Sequence, residues 1–311
     1  MKTQILQAPD GVSQIVEALN AGEPAALPTE TVYGLAADAL SPEACAKIFE
    51  AKNRPLYDPL IVHLPSLDWL TRLTSPTPTA LALAQKFWPG PLTMVLPRQA
   101  IVPDIVTAGQ ETVAVRMSAH PLFTEVAQRF AKPLAAPSAN RFGCISPTTA
   151  AHVLAELDGR IPFILDGGPC AHGIESTIVH VSKEGLRILR EGPITRDDLR
   201  TFAPLLEDDI AISAPGGLKS HYAPRTPLVL EKNPSPRTDK TGLLAFSSPR
   251  EGFAKTEILS AKSDLREAAA NLYGAMRRLD EAGLDLIVAE EIPETGIGAA
   301  IMERLRKAAA R

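Results

Sequence analysis

Apolar residues at Val12, Ile15, Val16 and Leu19 recur at helical spacing and stop near Gly22, predicting an amphipathic helix over 12–20. The unbroken run Ala25-Ala26-Leu27 predicts a short buried strand that feeds a loop at Pro28. Ser41-Pro42 has the form of a helix opening, a capping hydroxyl followed by proline at the first helical position. That helix carries Cys45, Ile48 and Phe49 inward and stops before Lys52. A buried strand is expected over 60–64, and a helix over 77–88 with Leu81, Ala84 and Phe87 on its apolar face. Beyond the rigid turn Trp88-Pro89-Gly90-Pro91, strands are expected over 92–96 and 112–117, a helix over 121–130 and a strand over 134–136. Ser146-Pro147 predicts a further helix opening, running to about Leu157. Strands over 163–165, 177–181 and 187–189 and a short helix over 195–202 close this half. The expected class is α/β: a twisted sheet with flanking helices, of mixed direction because some connections are too short for crossovers.

From residue 204 the pattern breaks. Pro204, Pro215-Gly216-Gly217, Pro224, Pro227, Pro234 and Pro236 interrupt any periodicity, as in a linker. After it, strands are expected over 242–247 and 284–289. Asp264 and Glu267 suit a capping box for a helix carrying Leu265, Leu272, Met276 and Leu279, and Ile297 opens a last helix. The expected organisation is a domain over 1–203, a linker over 204–240, and a small α/β domain over 241–311.

Length and composition agree with two domains. The 311 residues include 45% hydrophobic and 22% charged side chains, ordinary for a globular chain. The 28 prolines, about 9% against a usual ~5%, fall mostly at strand ends and helix starts. Net charge is −4; residues 1–204 hold 17 basic and 20 acidic side chains, the remainder 15 and 16. Neither part has the basic excess of a duplex-binding protein, so strong direct nucleic-acid binding is not expected. Cys45, Cys144 and Cys170 are widely spaced with no CxxC pair, which disfavours a disulfide framework or structural zinc. No signal-like or membrane-length apolar run occurs, so a cytoplasmic location is expected.

The candidate chemistry is concentrated at expected strand ends. No GxxxxGK[ST] loop and no GxGxxG is present, so a bound nucleotide would be held largely by side chains. Lys52 and Arg54 flank one residue between a helix and a buried strand, an arrangement suited to clamping phosphate, Arg54 as a bidentate fork and Lys52 as a point charge. The plainer reading is two exposed cations at a helix C-terminus. Ser138 and Asn140 follow a strand, where α/β sheets bind ligands, and Ser146 sits at an expected helix N-terminus. Asp166-Gly167-Gly168, Glu175-Ser176 and Arg190-Glu191-Gly192 form a third group, with Asp166 and Glu175 reading most simply as turn residues. His63 and Arg116 each end an apolar strand; a satisfied core histidine and a carboxylate-paired arginine are the common outcomes there.

Taken in order, PTETVYGL, KNRP, PLIVHL, FWPGPLT, VAVR, PSAN, SPT, GIESTI, LREGP and HYAP resemble the threonylcarbamoyl-AMP synthase (YrdC-like) family in its long, two-domain form. The motifs span about residues 10–227; the small C-terminal domain matches by position and size. The resemblance implies a YrdC-like sheet followed by a small Rossmann-like domain. It implies a nucleotidyltransferase that combines L-threonine, bicarbonate and ATP, with Mg²⁺, into threonylcarbamoyl-AMP and pyrophosphate. The product would feed the machinery that builds threonylcarbamoyladenosine in tRNA. Carried onto this chain, Lys52, Arg54, Ser138 and Asn140 match the phosphate and nucleotide positions, with Lys52 and Arg54 acting in catalysis. Thr112, Ser146 and Arg190 match further ATP contacts, and Tyr222 of Ser220-His221-Tyr222 matches a lid in the linker. Thr31, His63, Arg116, Ala136 and Ser176 match the threonine site. Asp58 departs from the neutral polar residue usual before Pro59; as an ATP contact it would have to pair with Arg54 or help hold the metal. Metal ligands are not assigned. The alternatives are a non-catalytic RNA-binding module on the same fold and a related carbamoyl-adenylate enzyme; the latter is disfavoured by the lack of zinc-finger cysteines and of an acylphosphatase-like segment.

Overall fold

The computed structural model describes residues 2–207 and 221–310. Pro215-Gly216-Gly217 and Ser220 of the expected linker lie outside the described residues. The larger sheet has ten strands, in the order Gln4–Leu6, Phe163–Leu165, Ala25–Leu27, Gly34–Asp38, Leu134–Ala135, Ile61–His63, Thr112–Arg116, Leu92–Pro97, Thr177–Val181 and Leu186–Arg190. Its direction is mixed, as expected: Ile61–His63 runs parallel to Thr112–Arg116, Leu134–Ala135 runs against both neighbours, and Leu92–Pro97 runs against Thr112–Arg116 but parallel to Thr177–Val181.

Helices cover both faces. The helices Asp10–Asn20 and Pro121–Phe130 bury Val12, Ile15, Phe123 and Val126 against one face. Pro42–Lys52, Pro78–Phe87 and Ala150–Leu157 cover the other with Ile48, Leu83 and Val153. In Pro78–Phe87 the inward stripe is Ala80, Leu83 and Ala84, while Leu81, expected inside, is 49% exposed. Ser41 caps its helix by accepting from the Ala44 N–H. The helix expected from Ser146 starts instead at Ala150, capped by Thr149 through the His152 N–H. The Pro147 carbonyl accepts from the Tyr33 N–H, which fixes 146–147 as extended chain beside the sheet and delays the helix.

The second sheet has four parallel strands in the order Leu228–Glu231, Leu286–Glu290, Thr241–Ala245 and Lys255–Ile258. The helices Leu265–Asp280 and Gly298–Ala309 pack on it, giving the small α/β domain a parallel, Rossmann-like sheet. Leu228–Glu231 lies within the expected 204–240 linker, so that boundary is corrected: four residues free of proline after Pro227 are enough for an edge strand. Asp264 caps Leu265–Asp280 through the Arg266 and Glu267 N–H groups, while the Glu267 carboxylate accepts from Ser260 rather than closing a capping box. The core of this domain includes Val32, Ile145 and Ile174 from the first domain. Among the described residues no helix is long and apolar enough to cross a membrane.

Candidate active site

Parallel pairing sets His63 beside Arg116 in register, both at carboxyl ends. Three antiparallel pairings reverse Ala25–Leu27 relative to Ile61–His63, so the chain leaves it into Thr29-Glu30-Thr31 at the other end of the ladder, beside Gly34. Leu134 pairs with His63 and the Ala136 N–H donates to the Ile61 carbonyl, so Leu134–Ala135 also leads away from His63 into Ala136-Pro137-Ser138, where Gly34 bridges to Ser138. Ser176 precedes the strand Thr177–Val181, and Arg190 ends its antiparallel neighbour. A cavity therefore lies over one face of the sheet, where the alternate residues Ile61 and His63 both line it, and it draws residues from both ends of the ladder.

The cavity is lined by Thr31, Arg54, His63, Arg116, Ala136, Ser138, Ser176, Arg190 and Tyr222, all expected site residues, together with Glu175 and His221. Lys52 lies behind this wall, donating to the Ser138 and Asn140 carbonyls at 2.5 Å each. Its helix ends on Asn53 in the left-handed region (φ 51°), which turns the chain so that Arg54 re-enters the protein. Lys52 is 1% exposed and Arg54 8%, so the reading as two solvated cations does not hold. Arg54 donates to the Asp58 and Pro59 carbonyls and ion-pairs with the Asp58 carboxylate at 3.0 Å. Asp58 therefore balances the clamp from outside the cavity wall. Burial pulls the pKa of Lys52 well down, and the Arg54 charge pulls it further.

Arg116 pairs with Glu30 at 2.6 Å and donates to Thr31 Oγ1 at 3.0 Å, while Ser118 donates to the other Glu30 oxygen at 2.6 Å. Burial pushes the Glu30 carboxyl up, but Arg116 and these hydrogen bonds outweigh it and hold the group at about 2. His63 is pushed down to about 3 by burial and by Arg116, so its ring is neutral at physiological pH. The ring lies 4.6 Å from that of Phe123. Ser176 shares a hydrogen bond with Thr93 at 2.8 Å and accepts from Arg190 at 3.0 Å.

Three further expected contacts fall outside the cavity lining. Thr112 opens the strand that Arg116 ends and pairs with Pro97, about 13 Å along the strand from Arg116 and outside the cavity lining. Asn140 contributes its backbone carbonyl to Lys52 and turns its amide to the Arg141 and Cys144 carbonyls, away from the cavity lining. Ser146 is fully buried beside Glu175 rather than at a helix start. Glu30 and Glu175 were not expected as site residues: each sits in a turn, and its partner, Arg116 or Arg304, lies 86 or 129 residues away.

Buried polar atoms without a hydrogen-bond partner border the cavity: His63 Nδ1, Arg116 Nε, His221 Nδ1 and Tyr222 Oη. Buried polar atoms are almost always paired, so this concentration marks a place for a polar ligand. The cavity itself holds only about 40 Å³, whereas small-molecule sites are typically ~300–1,000 Å³. Tyr222 (φ 62°) and His221, both buried, fill the remainder. Among the described residues no group of three or more His, Cys, Asp or Glu could hold a metal. Asp58 and Glu175 are each engaged by an arginine, so the described residues offer no ready cage for a resident Mg²⁺.

Fold and site together define an α/β protein of the Sua5/YrdC type: the family described as telomere recombination (Sua5/YciO/YrdC) matches residues 17–192. The threonylcarbamoyl-AMP synthase C-terminal domain matches residues 187–310. The chain is 40% identical to the threonylcarbamoyl-AMP synthase of Bacillus subtilis, over 96% of this chain and 92% of that protein. It is 37% identical to the one from Pyrococcus abyssi, over 92% and 90%. The structure of P. abyssi Sua5 complexed with L-threonine superposes with a TM-score of 0.90 at 34% identity, covering 99% of this chain and 98% of that one. The chain belongs to the two-domain threonylcarbamoyl-AMP synthase family.

Proposed function

We propose that the protein is a nucleotidyltransferase that makes threonylcarbamoyl-AMP and pyrophosphate from L-threonine, bicarbonate and ATP, supplying the transfer of threonylcarbamoyl to adenosine in tRNA in the cytoplasm. The observation that carries this reading is the convergence of buried cations and polar side chains on one cavity bordered by buried polar atoms without partners. The P. abyssi relative in complex with L-threonine supports the amino-acid half.

On this reading Arg116 holds the threonine carboxylate, with its Nε as the spare donor and Glu30 and Thr31 fixing the plane of the fork. His63 stays neutral and, with Thr31, Ala136 and Ser176, orients the amine and hydroxyl. The neutral amine attacks the carbon of bicarbonate with loss of water, or of carbon dioxide with loss of the amine proton to solvent, and an oxygen of the resulting carbamate then attacks the α-phosphorus of ATP. The bond from that phosphorus to the bridging oxygen breaks, and the electron pair leaves with pyrophosphate. The carbamate is a weak nucleophile, so holding it beside the α-phosphate matters more than a strong base. Arg54, Arg190 and the charge of Lys52 behind Ser138 stabilise the departing pyrophosphate. Mg²⁺ belongs to the ATP substrate in this scheme, held by its phosphates.

His221 and Tyr222 act as a lid that must withdraw to admit substrates and then exclude water, because carbamate and mixed anhydride both hydrolyse. Pyrophosphate release from ATP tests the function. It should require threonine and bicarbonate together; release that ignores both would refute the assignment.

A further inference from the structure

The C-terminal domain reaches the cavity wall through two buried side chains. Arg304 is 0% exposed; its Nε donates to Glu175 at 2.9 Å and its Nη2 to the Glu191 carbonyl at 2.9 Å. The Tyr273 hydroxyl lies 3.1 and 2.9 Å from the two Glu175 oxygens. Both also contact Tyr222: the Arg304 guanidinium sits 5.2 Å from its ring centre, and the Tyr273 ring stacks on it at 5.9 Å. Glu303 ties the same helix to the first domain by accepting from the Glu191 N–H at 2.8 Å.

Glu175 matters because of where it stands. It lines the cavity shared by Arg54 and Arg190, with Lys52 behind, and an unbalanced carboxylate there would repel a triphosphate. Arg304 does not line the cavity, so it can cancel that charge without occupying substrate space. We propose that Arg304 and Tyr273 are positioning residues of the active site: they neutralise and tether Glu175 beside the triphosphate site and seat Tyr222 over the cavity. The C-terminal domain is then a working part of the catalytic centre. The nucleotide half of this inference rests on the proposed function; the seating of Tyr222 does not.

Two measurements on the full chain test it. Calorimetric titration with α,β-methylene-ATP compares wild type, Arg304→Met and Arg304→Met/Glu175→Gln. The single variant should bind on the order of tenfold or more weakly. Removing the stranded charge in the double variant should restore affinity to within about threefold of wild type. A single variant that binds normally, or a double variant as weak as the single, overturns the charge role. Hydrogen exchange reads the seating: the His221 and Ala223 amides, bonded to the Lys307 and Gly143 carbonyls, should exchange faster in Arg304→Met. The strands Leu92–Pro97 and Thr112–Arg116 should keep their protection. Unchanged exchange at 221–223, or an equal rise throughout, overturns the seating role. Should wild type bind no analogue, the functional reading falls, and exchange alone still decides the seating.

Discussion

Arg116 and Glu30 meet at 2.6 Å although 86 residues separate them, and Arg116 lines the cavity with its Nε still unbonded. The glutamate fixes the fork and the spare donor is left for a ligand. Arg116→Lys keeps the charge but loses the fork, so the KM for threonine should rise on the order of tenfold or more with ATP binding little changed. Arg116→Ala should also destabilise the fold by about 3–5 kcal/mol by stranding Glu30. Steady-state kinetics and denaturant unfolding separate the two effects; an unchanged KM in Arg116→Lys contradicts the role.

Lys52 is held by two carbonyls of the segment Ser138–Asn140, so its charge is placed by backbone. Lys52→Met should lower the rate of pyrophosphate release on the order of a hundredfold, as loss of preorganised charge stabilisation does elsewhere. Rapid-quench measurement of labelled pyrophosphate checks this, and a loss under about threefold would remove Lys52 from the chemistry.

Tyr222→Ala opens the cavity without touching the cations. More ATP should be consumed per adenylate formed, because the intermediate meets water. Unchanged coupling of ATP use to product discards the lid.

Acid should weaken the fold in two overlapping windows of the same sign. Glu30 and Glu175 are held at about 2 in the folded chain against an ordinary 4.5, so their contribution is full above 4.5 and is lost as pH falls towards 2. His63 and His221 are held at about 3 against 6.5, so below 6.5 the unfolded chain binds protons that the folded one refuses. Thermal midpoints should stay level above roughly pH 7 and fall below it, more steeply under 4.5. A midpoint that rises on acidification contradicts these burial-driven shifts.

Much of this was legible in the chain because helix caps and apolar runs are local. Ser41-Pro42, Asp264 and the run Ala25–Leu27 mark their elements directly. Gly34–Asp38 was not legible, since five consecutive buried residues show no alternation. Leu228–Glu231 was hidden among prolines, and Ser146-Pro147 carried the cap pattern while Tyr33 held it as extended chain. For the site, strand-end polar residues could be read from position, but Glu30 and Glu175 take their meaning from arginines far along the chain. Thr112 shows the converse: it shares a strand with Arg116 and still falls outside the cavity lining, which position in the chain did not reveal.

The claim that one cavity joins an amino acid to a nucleotide is tested most directly by incubating the protein with isotopically labelled threonine and bicarbonate and with ATP, then identifying the products by mass. The account predicts an adenylate carrying both labels, formed with equal pyrophosphate and missing when either labelled substrate is left out. AMP or ADP produced at the same rate without threonine, and no doubly labelled adenylate, would contradict it.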